Sequence, residues 1–156
     1  MIVVLDNVRS VFNTGSIFRT ADALGAEKIY LCGLTPSPLD KLGRLRPKFI
    51  KTSLGSEGSV PFEKQISTAR ILNKLKKDGY KILAIEQDKS SISYYKFKPR
   101  NEKYVLVVGH EVRGLSQAVL EKADKILEIP MAGMKESLNV AIAFSIVAYE
   151  LKYGEK

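Results

Sequence analysis

Asn13, Arg19, Glu111, Ser137 and Asn139 are the polar residues of this sequence whose settings could support chemistry. They fall in three segments expected to follow strands, where open α/β sheets bind ligands. The first segment carries Asn13, Gly15 and Arg19. The second is Gly109-His110-Glu111-Val112-Arg113-Gly114, and the third runs from Ile129 to Asn139. Glu111 stands between two glycines, a residue type that lets backbone approach a ligand closely. Ser137 and Asn139 stand where an apolar helix should begin, with free N–H groups and the positive dipole end at hand. Each residue also has an ordinary role. Asn13 or Ser137 can cap a helix, Arg19 can be a solvated helix residue, and His110 can be a loop residue. Capping explains Ser137 well and Asn139 poorly. One histidine and one cysteine, Cys32, cannot build a His/Cys zinc site, so no metal is expected.

The elements that hold these loops follow from apolar patterning. Ile2 to Leu5 is a short apolar run and reads as a buried strand. Ile17, Ala21 and Leu24 have helical spacing, Gly25 ends that helix, and Lys28 to Cys32 is a second strand. Pro36 and Pro38 mark a loop. Lys41 to Lys51 then carries Lys41, Arg44, Arg46, Lys48 and Lys51 with no acid among them, and reads as a phosphate-contacting loop. Glu63 to Asp78 is expected to be an amphipathic helix with Ile66, Ala69, Leu72 and Leu75 on one face. Strands follow at Tyr80–Ile85, Tyr104–Val108 and Lys125–Ile129, with a short helix at Ser116–Lys122. Residues 89 to 103 mix Tyr94, Tyr95, Phe97, Lys96, Lys98 and Arg100, which suits either base stacking or a lysine-guarded edge strand. From Leu138 to Ala148 the chain is apolar almost all round, so this helix must be covered on every side. It is too short for a membrane span, which takes about 20 apolar residues.

The order of elements predicts one α/β domain over residues 1–156, Rossmann-like, with a mainly parallel sheet. The length of 156 residues allows a real core, and 45% hydrophobic residues exclude a disordered chain. Lysine and arginine number 25 against 17 acids, a formal charge of +8, which suggests a polyanionic partner such as RNA. The start, MIVVLD, lacks the form of a signal peptide, and a cytoplasmic location is expected. Neither the classical dinucleotide pattern nor the P-loop pattern occurs. Residue types and spacing alone reach an α/β ligand-binding domain with a basic surface.

The same three loops resemble the motifs of a known family. NTGSIFRTADALG (Asn13 to Gly25), VVGHEVRGLS (Val107 to Ser116) and IPMAGMKESLNVAIA (Ile129 to Ala143) are similar to the three motifs of the SpoU RNA 2′-O-ribose methyltransferases, within the SPOUT superfamily. The resemblance runs from about Leu5 to Leu151. His110 replaces the asparagine often found between glycine and glutamate in the second motif.

The resemblance implies a C-terminal trefoil knot and S-adenosylmethionine as methyl donor. It places cofactor contacts at Ile85, Gly109, Glu111, Ile129, Met131 and Leu138. It places the polar site residues at Asn13, Arg19, Glu111, Ser137 and Asn139, with the Arg19 side chain directed at the transferred methyl group. RNA contacts are expected at Arg9, Lys41, Arg44, Arg46 and Lys48, and a homodimer is expected through the apolar C-terminal helix. The implied reaction moves a methyl group onto a ribose 2′-oxygen of tRNA or rRNA. Two rivals remain beside it: an RNA-binding module of the same fold without catalysis, and a small-molecule enzyme using a nucleotide.

Overall fold

The computed structural model describes residues 1–154. The strands are β1 (Ile2–Asp6), β2 (Lys28–Cys32), β3 (Phe62–Gln65), β4 (Tyr80–Ile85), β5 (Ile92–Ser93), β6 (Lys103–Val108) and β7 (Lys125–Glu128). The helices are α1 (Val11–Ala23), α2 (Pro47–Ser53), α3 (Thr68–Lys77), α4 (Gln117–Leu120) and α5 (Val140–Tyr153). The strands form one sheet in the order β3-β2-β1-β6-β4-β7-β5, and every pair is parallel. β1 is buried along its whole length, and β6 beyond Lys103. Such strands must be apolar on both faces, which is why they read as unbroken hydrophobic runs. Successive side chains alternate faces. Val3 and Leu5 join a core with Ile17, Phe18 and Phe144, from α1 and α5. Ile2 and Val4 join the opposite core with Ile71, Leu72 and Val119, from α3 and α4.

Several expectations are corrected. Residues 63–65 belong to β3, and the following helix starts only at Thr68. Its buried face is Thr68, Ile71, Leu72 and Leu75, while Ile66 stands 96% exposed. Residues 62–65 pair with β2 instead, and Ser67 caps the helix, so the helical spacing of apolar residues begins only after it. Lys41–Lys51 is not one loop: Lys48 and Lys51 lie on α2, whose N-terminal turn opens with Pro47. An acid is also near. Asp40, one residue before the segment, pairs with Arg44 at 3.0 Å. Gly15 lets α2 approach α1, because a Cβ there would stand 2.9 Å from the Phe49 carbonyl. In the aromatic segment, Ile92–Ser93 is one of the sheet's two edge strands, and Phe97 packs edge-on to Tyr104. Tyr94 joins the core, which leaves Tyr95 as the exposed tyrosine there.

α5 buries Ala141, Phe144, Val147 and Ala148 against α1 and the sheet. Its opposite face is open: Ile142, Tyr149 and Tyr153 are exposed, as is Phe12 on α1. No helix among the described residues is long and apolar enough to cross a membrane.

Candidate active site

β4, β6 and β7 end side by side, and the segments leaving them enclose a cavity of about 330 Å³. That volume is within the range of small-molecule clefts. Ile85 to Gln87 form one wall, Val108 to Gly114 the second, and Leu127 to Ile129 with Met131 the third. Glu136, Ser137, Leu138 and Val140 close it from the approach to α5. The cavity therefore brings together Ile85, Gly109, Glu111, Ile129, Met131, Ser137 and Leu138. Asn13, Arg19 and Asn139 do not line it.

Gly109 is fixed by sterics. A Cβ on it would lie 2.7 Å from the Gly114 carbonyl carbon and 2.8 Å from both Gly114 O and Leu115 N. The segment doubles back on itself there, closed by the Gly114 N–H donating to His110 O at 2.8 Å. His110, which the sequence reading left without a role, holds this turn. Its Nδ1 accepts from the N–H groups of Val112 at 3.0 Å and Arg113 at 3.3 Å. Nδ1 must carry the lone pair to do so, which leaves the ring proton on Nε2. An asparagine oxygen can accept the same bonds in an Asx turn, which gives His110 a physical equivalence to that residue. Glu86 braces the turn from β4: its carboxylate accepts from Leu115 N at 2.8 Å and Gln87 N at 3.0 Å. Gln87 in turn donates to Glu136 O at 2.7 Å.

Glu111 reaches the start of α1. Its carboxylate accepts from Arg9 N at 3.1 Å, Ser10 N at 3.0 Å and the Asn13 side-chain amide at 3.0 Å. Ser10 N is one of the orphan donors at the N-terminus of α1, where a negative charge is favoured. Burial pushes the Glu111 carboxyl up, but the backbone N–H donors and the Asn13 amide outweigh it and hold it below the usual glutamate value. Glu111 is therefore a carboxylate at neutral pH with its lone pairs committed. It can orient; it cannot donate a proton.

Asn13 and Asn139 exchange the roles expected of them. Asn13 does not cap α1. Ser10 does, accepting from Asn13 N at 3.2 Å. α5 begins at Val140, later than Ser137, and its cap is Asn139, whose Oδ1 accepts from Ala141 N at 2.9 Å. The same Asn139 donates from Nδ2 to Asn13 Oδ1 at 3.0 Å. One chain of bonds, Asn139 to Asn13 to Glu111, thus locks the starts of α1 and α5 to the second loop.

Arg19 is exposed on α1, six residues past Asn13 and roughly 9 Å farther along the axis at 1.5 Å per residue. Within one chain its side chain is not brought to the cavity. Arg9 lies beside a second cleft, and Lys41, Arg44, Arg46 and Lys48 lie on or before α2. Glu128 also lines the cavity and was missed, because it ends β7 with an ordinary alternating pattern. With Glu86, Glu111 and Glu136 it makes the residues around the cavity predominantly acidic, with Arg113 as the basic residue among them. On a chain of +8, this is a local reversal of charge that suits a cationic ligand.

Residues 1–149 match the model of the SpoU rRNA Methylase family. The 23S rRNA (guanosine(2553)-2'-O)-methyltransferase RlmP of Bacillus subtilis is 30% identical over 151 residues, covering 97% of this chain and 57% of RlmP. The chain thus spans little more than half the length of such curated relatives. The AdoMet-bound rRNA methyltransferase of Sinorhizobium meliloti superposes with a TM-score of 0.86 at 31% identity, over 96% of this chain and 54% of that one. A structure described as giving insights into the 2-OH methylation of C/U34 on tRNA has a TM-score of 0.79 at 32% identity. It is matched over 98% of this chain and 94% of its own.

Proposed function

Because the chain belongs to the SpoU rRNA methylase family, we propose that it transfers a methyl group from S-adenosylmethionine to a ribose 2′-hydroxyl of tRNA or rRNA. The carrying observation is the cavity lined by acidic residues and built by the second and third motifs, fastened to the first through Glu111, Asn13 and Asn139. S-adenosylmethionine, when bound, supplies a methyl group on a sulfonium that already serves as leaving group, so no metal is required. The residues fit such a ligand. Gly109 lines the cavity with main chain alone, while Ile85, Ile129, Met131 and Leu138 offer apolar contact to a flat base. The carboxylates complement a positive charge. Ser137 stands at the cavity wall as a hydroxyl partner for the ligand or the ribose.

The harder task is the nucleophile, a hydroxyl too weakly acidic to ionise at neutral pH. Glu111 is committed to three donors and acts here as an orienting group. Arg19 is the proposed electrostatic element: its planar, cationic guanidinium aligns an RNA phosphate and stabilises charge on the 2′-oxygen. Arg19 reaches that oxygen only in a homodimer, which we propose forms across the open faces of α1 and α5. Phe12, Ile142, Tyr149 and Tyr153 make an apolar patch there that a second copy would cover. Light scattering at micromolar concentration is expected to return twice the chain mass of 17.4 kDa. A monomer mass would remove both the dimer and this route for Arg19. We further assign residues 1–156 to one methyltransferase domain, the chain after β7 to the family's knotted segment, and the protein to the cytoplasm.

RNA contact is proposed along the arm before and within α2. Lys41 and Lys48 are exposed, whereas Arg44 is partly engaged by Asp40. Replacing Lys41 and Lys48 together by alanine is expected to flatten the log–log salt dependence of RNA affinity by about 1.4 to 1.8, at 0.7 to 0.9 per contact. Affinity for S-adenosylmethionine should stay unchanged. An unaltered slope would move the RNA surface elsewhere, for example to Tyr95–Arg100. The reading as a whole is tested by methyl transfer from labelled S-adenosylmethionine to bulk tRNA and rRNA, followed by mapping of the product. Methyl groups found only on bases, or none at all, would overturn it.

A further inference from the structure

A second cleft, of about 520 Å³, lies across the His110–Gly114 turn from the first. It sits above the ends of β1 and β2 and reaches the segment after β6. β2 and β3 extend from β1 toward one edge of the sheet, while β6, β4 and β7 lie toward the other. The β1/β6 boundary is thus where the winding reverses, the position at which open α/β sheets hold ligands. The cleft has two kinds of wall. Arg9 and Arg113 supply guanidinium groups that form no ion pair among the described residues. Leu34, 71% exposed, and Ile66, 96% exposed, supply a bare apolar rim.

Leu34 is held out deliberately by its surroundings. Its N–H donates to Asn7 Oδ1 at 3.0 Å, and Lys64 Nζ donates to the carbonyls of both Gly33, at 2.6 Å, and Thr35. Asn7 adopts a φ of +56°, a conformation asparagine tolerates better than most residues, and Gly33 has a φ of +58°. Asn7 Nδ2 donates to Asp6 Oδ1 at 3.0 Å, and Asp6 also accepts from Thr68 Oγ1. Ile66 comes one residue after β3, whose Gln65 pairs in register with Cys32 of β2. Two large aliphatic side chains are therefore presented to water at one cleft, Leu34 from a hydrogen-bonded turn and Ile66 from the end of a paired strand. Neither belongs to a core cluster among the described residues.

We infer that this cleft seats one unpaired nucleotide of the RNA, with its base against Leu34 and Ile66 and its phosphate met by Arg9 and Arg113. The inference rests on the proposed RNA substrate and adds where a single-stranded segment lies beside the reacting ribose. A flat apolar rim accepts the face of any base, so this seat selects unpaired RNA over duplex without selecting a sequence. A base held in a duplex keeps its faces stacked and cannot occupy it.

The test uses fluorescein-labelled oligouridylate of about ten nucleotides, and the same strand annealed to oligoadenylate, in anisotropy titrations with the full chain. Wild type should prefer the single strand. Leu34→Ser with Ile66→Ser should weaken single-strand binding about 10-fold, through the loss of apolar contact with one base. Both positions are exposed, so the double variant should keep the wild-type melting temperature and S-adenosylmethionine affinity. Arg9→Ala should reduce the salt slope by about 0.7. A 4-thiouridine version of the oligonucleotide should crosslink to peptides containing residues 33–35 or 66–70. Unchanged affinity in the double variant, no preference for the single strand, or crosslinks confined to other segments would each overturn the seat. Methylation of bulk RNA by wild type separates the two ideas. Active wild type with an unaffected double variant removes the seat alone, and inactive wild type that binds single strands through these residues removes the enzyme reading alone.

Discussion

Arg19→Ala is expected to lower single-turnover methylation about 100-fold, the scale for losing one donor to a developing oxyanion. S-adenosylmethionine affinity should barely change, because Arg19 lies outside the cavity. The measurement is unusually clean for a site residue. Arg19 is exposed and forms no ion pair among the described residues, so its removal costs no packing. Arg19→Lys should recover little, since a point charge cannot replace a planar fork that engages two oxygens together. A solvated helix-surface arginine would leave both variants near wild-type rate. Wild-type turnover in Arg19→Ala would withdraw the catalytic assignment while leaving the family membership intact.

Gly109→Ala should act in the opposite way, through the cofactor cavity and not through the nucleophile. The added methyl group meets three atoms of the Gly114–Leu115 peptide, at 2.7 to 2.8 Å. Backbone cannot rotate aside as a flexible side chain would. The His110–Gly114 turn must move, and with it the carboxylate of Glu111 and the wall of the cavity. A displacement on the order of 1 Å can reduce an oriented reaction roughly 100-fold. Calorimetry should show weaker S-adenosylmethionine binding in this variant, unlike Arg19→Ala. Wild-type cofactor affinity in Gly109→Ala would mean that the bare backbone at Gly109 is not where the ligand approaches.

The sheet was readable because a strand buried on both faces has almost no choice of residue type. Runs such as Ile2–Leu5 and Val105–Val108 announce themselves. β3 was not readable in this way. Its FEKQ has no buried residue, and it is a strand only because β2 offers it a hydrogen-bonding edge. The walls of the cavity followed from motif resemblance, and the chain does bring Ile85, Gly109, Glu111, Ile129, Met131 and Leu138 together. Partners within the network were less accessible. Serine and asparagine two or three positions apart have similar capping preferences, which hid the exchange between Ser10 and Asn13 and between Ser137 and Asn139. His110 was overlooked for a different reason. Its role depends on a turn conformation that brings two N–H groups to one nitrogen, and only the closed turn displays it.

The pairing of β1 also bears on how the molecule is made. Ile2 pairs with Lys28 on one side and with Val105 on the other. During synthesis at about 5 to 20 residues per second, the second neighbour of β1 is delayed by roughly 5 to 20 seconds after the first strand leaves the ribosome. Until then an apolar strand lies with one edge open, the geometry that recruits other chains. The bonds from Glu111 to Ser10 and from Asn139 to Asn13 close later still. A nascent chain halted before β6 would therefore be prone to aggregate, and one halted before α5 would have a sheet without the Asn139–Asn13 lock.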